Sequence, residues 1–509
     1  MPLVAGCWEI RVDGSRLLLQ VWNSDKNLVR RVIAIDSETS GQLNLTIERF
    51  GKKPGLLQLL DKARQSANQK TKRSGRLAFR ENFRRFLLRQ FPGWRIAELS
   101  CEADLEHSLS PAYPRALLRK GSAGWAAIGA ANAADADHAL TFGLIWLDYL
   151  RRRDAKTTVE GLAIFVPEGS ERATAQRIRH LDKTEASWAL FVHANNWEQR
   201  VDPADSGNID TTLPDRRSLP WVPEWVSALA QTPGTELVEC SGEVSLRVRG
   251  LEFARWNGRD LRAGLEARRV VREGRSSEVT ALAVELARVR GGSDGDLRSK
   301  LYSVAPERWL ETQIREDPEA IDAGLLSSPI YGQAPTFAAG ERGVIDLLAA
   351  GIDGRLTILE VKAVEDPHLP LQALDYWARV KWHLERGEFA AKGYFPGVPL
   401  SSQPPRMLLV APALHFHPTT ETILRYFSSE VQVERIGLAA SWRSGLKVMF
   451  RATGDSPPKC EYKGEDNDEA NADAATGERC TGAPESDGSS RRRATSVHDS
   501  AFCGYPAGL

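Results

Sequence analysis

Between residues 8 and 50 apolar and polar side chains alternate in four short runs, WEIRV, RLLLQVW, RRVIAID and LNLTIERF, parted by turn residues such as Asp13-Gly14. A period of two marks strands with one buried face. The period then changes. In RLAFRENFRRFLLRQF, Leu77, Phe83, Phe86 or Leu87, and Gln90 or Phe91 recur at helical spacing with arginines on the other face, and Pro92-Gly93 ends the helix. Residues 96 to 230 read as mixed α/β, with LTFGLIWLDYLRRR and ERATAQRIRHLD as helices on either side of the buried strand GLAIFVP. Strands return over ELVECSGEVSLRVRGLEFARW, and the helix SSEVTALAVELARVRGG closes on Gly291-Gly292. A last ordered block starts with the helix PERWLETQIRED, where Pro306 suits the first helical position. A short strand near PIYGQAP, a hairpin, the helix LPLQALDYWARVKWHLERG and the strand RMLLVAPAL follow, then the helix TTETILRYF and the strands VQVERIGLAA and LKVMFRA. From Thr453 onward the chain has almost nothing to bury and reads as a disordered tail. No internal repeat is found in the sequence.

Length and composition bound this picture. A chain of 509 residues exceeds a single core, so several domains are expected. We expect a β-rich segment over 1–60, a mixed α/β domain with a basic helix over 61–230, a connecting module of strands and a helix over 231–300, an α/β domain over 301–451, and the tail over 452–509. With 42% hydrophobic and 26% charged residues the composition is globular, and no apolar run approaches the roughly 18 residues of a membrane helix. The opening residues lack a basic region followed by an apolar one, and the six cysteines are scattered without a CxxC pair. Both features suit a cytoplasmic protein without a membrane partner. Net charge is zero, but eleven Lys or Arg fall between Asp61 and Arg95 against two acidic residues. That segment is either a phosphate-facing helix or a solvated amphipathic one.

Chemistry concentrates in GVIDLLAAGIDGRLTILEVKA, residues 343–363, which reads as a hairpin buried on both faces yet carries Asp346, Glu360 and Lys362. The loop Ile352-Asp353-Gly354 suits a type I turn followed by a left-handed glycine. Gly351 then faces Arg355, Asp346 faces Glu360, and Lys362 shares the face of Glu360 because side chains alternate. A two-residue Asp353-Gly354 turn would break this register. Opposed carboxylates repel, and a divalent cation between them is the simplest remedy. Oxygen-only ligands with open water positions suit Mg²⁺ or Mn²⁺, and an adjacent lysine adds charge useful for phosphoryl chemistry.

The stretch VIDLLAAGIDGRLTILEVK resembles the D-x(n)-E-x-K signature of the PD-(D/E)XK nucleases, with thirteen residues between Asp346 and Glu360. The likeness covers about residues 306–440 and is greatest to RecB-like and structure-specific DNA endonuclease domains. Ile345 stands where proline is common in that family. The resemblance implies a restriction-endonuclease-like αβββαβ core, a mixed central sheet flanked by helices, inside a multidomain α/β chain. It further implies that Asp346, Glu360 and the Val361 carbonyl hold Mg²⁺ or Mn²⁺, that Lys362 positions the attacking water, and that Glu311 reaches the site through water or a second metal. Gln372 would support the lysine or the nucleic-acid backbone. The expected activity is hydrolysis of a phosphodiester, with DNA as expected substrate and a homodimer left open. The rival reading is a catalytically silent nucleic-acid-binding or scaffold protein of the same fold.

Plainer readings stand beside these. Glu311 can pair with Arg315 one helical turn on. Gln372, Tyr376, Arg379 and His383 share one helix face that could line the cleft; otherwise His383 reads as a solvated histidine, Trp377 and Trp382 as packing residues, and Asp353 as the residue its turn demands.

Overall fold

Each strand-rich stretch closes into its own sheet. The computed structural model describes residues 8–460, apart from 14–15, 23–26, 40–41, 50–52, 206–210, 293–294, 339–340 and 457–458 and the single residues 61, 155, 195, 217 and 241. The expected tail therefore lies outside the described residues from 461 onward.

Strands β1 (Trp8–Asp13), β2 (Arg16–Trp22), β3 (Asn27–Thr39), β4 (Gln42–Arg49) and β5 (Lys53–Leu60) form an antiparallel meander in sequence order, around Leu19, Val21, Leu45 and Ile47. The basic segment is the helix α1 (Lys62–Gln90). Its described apolar face buries Phe83, Phe86 and Leu87, as the helical spacing predicts, whereas Leu77 is exposed.

A six-stranded sheet follows: β6 (Arg95–Ser100), β7 (Arg115–Lys120), β8 (Ala123–Gly129), α2 (Ala133–Arg153), β9 (Thr158–Pro167), α3 (Arg172–Arg179), β10 (Ser187–Ala194) and β11 (Trp197–Val201). Asn132 caps α2 by accepting from the Asp135 amide. The third sheet begins after α4 (Glu224–Ser227) and joins β12 (Thr235–Cys240), β13 (Glu243–Val248), β14 (Leu251–Trp256), β15 (Leu261–Ala263) and β16 (Arg269–Val271). It packs against α5 (Ser276–Val289) through Val279, Ala283 and Leu286, and α6 (Lys300–Ser303) leads out.

The last block holds α7 (Pro306–Glu316), β17 (Tyr331–Ala338), β18 (Glu341–Ala350), β19 (Leu356–Val361), α8 (Leu369–Glu385), α9 (Glu388–Ala391), β20 (Arg406–Pro412), α10 (Thr420–Leu424), β21 (Val433–Leu438), β22 (Val448–Thr453) and β23 (Lys459–Cys460). The expected element order is present, although α10 is only five residues long. Strand β19 lies mid-sheet, antiparallel to β18 and parallel to β20, and every residue of it is buried. That is why LTILEV, apart from Thr357, is apolar until Glu360. One face of this sheet packs on α7 through Trp309, Leu310 and Ile314, the other on α8 through Leu374 and Trp377.

The sequence shows no repeat, yet the six strands of the second sheet and the first six of the seven in the fourth have the same order and the same directions. The likeness lies in backbone topology, which side-chain drift and unequal loops conceal.

Candidate active site

The hairpin register is the one the turn chemistry predicts. Gly354 adopts φ +75°, Asp353 Oδ1 accepts from the Arg355 amide at 3.0 Å, and the Gly351 amide donates to the Arg355 carbonyl at 2.8 Å. A side chain at Gly354 would also meet the Pro399 carbonyl oxygen at 2.1 Å, so glycine is required twice over. The ladder pairs Leu347 with Leu359 and Leu348 with Ile358, which sets Asp346 level with Glu360. Asp346 does not merely face its neighbour. Its Oδ2 accepts the Val361 amide at 2.9 Å, locking the carboxylate to the end of β19.

Glu360 is almost fully buried. Its Oε1 lies 3.3 Å from Lys362 Nζ, and its Oε2 is buried without a hydrogen-bond partner among the described residues. Glu311, on the buried side of α7, is 5% exposed. The plainer pairing with Arg315 is not formed, because Arg315 binds Glu236 on β12 at 2.6 Å. The helix carrying Glu311 is held from outside the sheet. Trp309 is overlain by Arg290 at 4.5 Å, and Arg290 donates to the Leu301 and Val304 carbonyls at 2.6 and 2.7 Å.

Electrostatics follow from crowding in a dry place. Burial, and then the charge of Asp346, pushes Glu311 up to about 8. Burial pushes Asp346 up to about 6, against the Val361 amide and Lys362, which favour its charge. Glu360 rises well above the ordinary carboxylate range through burial and the charge of Asp346. For Lys362 burial pulls the ammonium down, but the charges of Glu360, Glu307 and Asp346 outweigh it, so it titrates above its ordinary value. Lys362 is therefore an ammonium at neutral pH in the metal-free protein.

One neighbour escaped the sequence reading. Glu307, one helical turn before Glu311, acts on Asp346, Glu360 and Lys362 alike. The available signal was spacing: Glu307 and Glu311 stand four apart on one helix. Tyr376, on the helix face expected to line the cleft, is half-buried on α8, and burial and then the charges of Glu360 and Asp346 push its phenol up. Gln372 itself is half-buried on α8 and forms no hydrogen bond with Lys362 or the carboxylates among the described residues. His383 is buried, not solvated: its ring meets Thr211 Oγ1 at 3.0 Å and Glu388 Oε2 at 2.5 Å. Trp377 is a packing residue, fully buried with its indole donating to the Pro405 carbonyl at 2.8 Å.

The donor set can be tested for a metal. Among the described residues no group of three or more His, Cys, Asp or Glu side chains is arranged to hold an ion, so a closed cage is absent there. Two carboxylates with an orphaned buried oxygen between a lysine and further acids still fit a hard cation that keeps several of its waters. Zinc, which favours nitrogen and sulfur ligands, does not fit. A cleft of about 790 Å³ lined by Arg179, Lys183, Trp188 and Arg200 lies on the second sheet and shares no residue with this cluster. No described helix is long and apolar enough to cross a membrane. Comparison of the chain with protein-family models, curated proteins and solved structures returns no match.

Proposed function

We propose that the C-terminal block is a Mg²⁺- or Mn²⁺-dependent phosphodiesterase of the PD-(D/E)XK kind, acting on DNA. One observation carries this reading. A buried hairpin brings Asp346, Glu360 and Lys362 to one patch, and leaves Glu360 Oε2 buried without a partner among the described residues. Structural ion pairs are normally satisfied, and three charges kept in a core at a cost in stability point to a function.

Asp346, Glu360 and the Val361 carbonyl would hold the cation. A bound divalent ion polarises a phosphoryl oxygen and makes its water a better nucleophile. Lys362, charged and partly buried, orients the attacking water and faces the negative charge that builds on the phosphoryl oxygens. Glu307 adds negative potential behind the ligands, and a cation bound there would draw Glu311 toward its ionised form. Water adds to phosphorus as the bond to the leaving oxygen breaks, giving a phosphomonoester and a hydroxyl. Helix α1, with Arg84 and Arg85 exposed, offers a backbone-binding face.

A panel of duplex, single-stranded, flap and mismatched DNA together with RNA tests this reading. Cutting in Mg²⁺ or Mn²⁺ that stops with EDTA is expected, with DNA preferred. Salt-sensitive binding without cutting of any substrate would favour the silent binding module instead.

A further inference from the structure

Apart from the added α9 and β23 of the second, two parts of the chain share one architecture: a helix, three antiparallel strands, a long helix, a parallel strand, a short helix, a parallel strand and a returning antiparallel strand. Residues 62–201 build it once and residues 306–453 again. The likeness extends to register. In the fourth sheet Glu360 pairs with Leu409, and the Lys362 amide donates to the Val410 carbonyl at 3.0 Å. In the second sheet Ile128 pairs with Ile164, and the Ala130 amide donates to the Phe165 carbonyl at 2.9 Å. Ile128 thus stands where Glu360 stands, and Ala130 where Lys362 stands. Across the hairpin Arg115 pairs with Ile128, in the place that Asp346 takes opposite Glu360. Side chains agree, since Ile128 belongs to the core facing the long helix α2 as Ile358 belongs to the core facing α8.

The three positions that carry the charged patch in one copy are therefore Arg115, Ile128 and Ala130 in the other. Arg115 is buried, donates to the Glu102 carbonyl at 2.8 Å and lies 5.5 Å over Trp146. A guanidinium and two aliphatic groups supply no oxygen ligand for a cation. The counterpart of the site is blank.

The copies are joined about an approximate two-fold axis. α3 of the first packs on α8 of the second, and α10 of the second packs on α2 of the first. The ion pairs follow the same exchange: Arg177 of α3 meets Asp375 of α8 at 2.6 Å, and Arg425, just after α10, meets Asp148 of α2 at 2.9 Å. Directly after each short helix the chain enters an antiparallel bridge, Leu181 with Phe427. There the Asp182 amide donates to the Tyr426 carbonyl at 2.8 Å and the Ser428 amide to the His180 carbonyl at 2.9 Å. One core runs through the four helices and the inner faces of both sheets. Finally, the rings of His138 on α2 and His368 at the start of α8 stack with centroids 3.8 Å apart. The helix starts that follow β8 and β19 therefore meet, so the site and its blank counterpart lie on the same side of the pair.

We infer that this chain is a built-in dimer with a single working site, which engages duplex DNA as one molecule and cuts only one of its strands. The inference rests on the phosphodiesterase reading above. The strands of a duplex are related by two-fold axes, and a symmetric pair with two sites addresses both. Here the pair is retained and one site is blank, so the second strand meets Arg115, Ile128 and Ala130.

Supercoiled plasmid incubated with the full chain and Mg²⁺ tests this, with sedimentation of the same sample to identify the cutting species. The expected result is open-circular DNA accumulating before linear product, at a rate first order in a species of one chain's mass. Lys362→Ala should slow nicking by roughly 10²–10³-fold or more. Linear product formed without a nicked intermediate, a dimer as the cutting species, or nicking undiminished in Lys362→Ala overturns the single-site inference while the phosphodiesterase reading stands. No cutting of duplex under any metal condition, with cutting of single strands, also overturns it. No cutting of any nucleic acid overturns the phosphodiesterase reading and the inference with it.

Discussion

Glu311→Gln is expected to be more stable than the wild type at pH 8.5 by a much larger margin than at pH 5.5, both free of metal. The unfolded chain titrates Glu311 near its ordinary value of 4.5, whereas the fold raises it to about 8. A carboxyl raised by folding contributes stability that is fully present below the unfolded value and is lost as pH rises through the folded one. The window is therefore about pH 4.5 to 8, and the loss across it is on the order of 4 kcal/mol. Asp346, raised to about 6, acts in the same direction over a lower window. Glutamine holds the shape of the protonated acid and cannot ionise, so the variant escapes the Glu311 share of this loss. Denaturant midpoints at the two pH values check the result. A wild type whose stability rises from pH 5.5 to 8.5 would contradict the burial of Glu311 in a dry site.

Lys362→Ala is expected to reduce single-turnover cleavage by roughly 10²–10³-fold or more while leaving duplex binding near the wild-type level. The ammonium sits 3.3 Å from Glu360 and is held charged by Glu360, Glu307 and Asp346, so its contribution falls on charge that develops only as the phosphodiester breaks. Alanine also leaves Glu360 facing two carboxylates with no neighbouring cation. The metal-free variant should therefore lose stability at pH 8 relative to pH 5.5 more steeply than the wild type. Cleavage undiminished in Lys362→Ala would remove this residue from the site.

How much of this was legible in the sequence depends on locality. The hairpin could be read because its turn is self-contained: Asp353 and Gly354 fix the register within five residues, and the register fixes which charges meet. Glu311 was legible only as an alternative, since Arg315 on the same helix turns instead to Glu236, contributed by β12 far away in sequence. Glu307 was missed because an acid in the first turn of a helix is ordinarily a partner for the helix dipole. His383 was misjudged for a similar reason. Its neighbours in ARVKWHLERG are charged, but Thr211 comes from a distant segment to meet it. The repeated architecture was invisible because Arg115, Ile128 and Ala130 erase the charged signature while the backbone keeps the register. Hydrogen-bonded topology tolerates almost any side chain, whereas a metal site tolerates very few.

The central claim is that Asp346 and Glu360 form a cation site in the core of the C-terminal block. Calorimetric titration of Mn²⁺ into the full chain at pH 8, beside the double variant Asp346→Asn, Glu360→Gln, tests it without a substrate. The account predicts saturable binding to the wild type that the variant lacks. Absence of binding to the wild type, or equal binding to a folded variant, would contradict it.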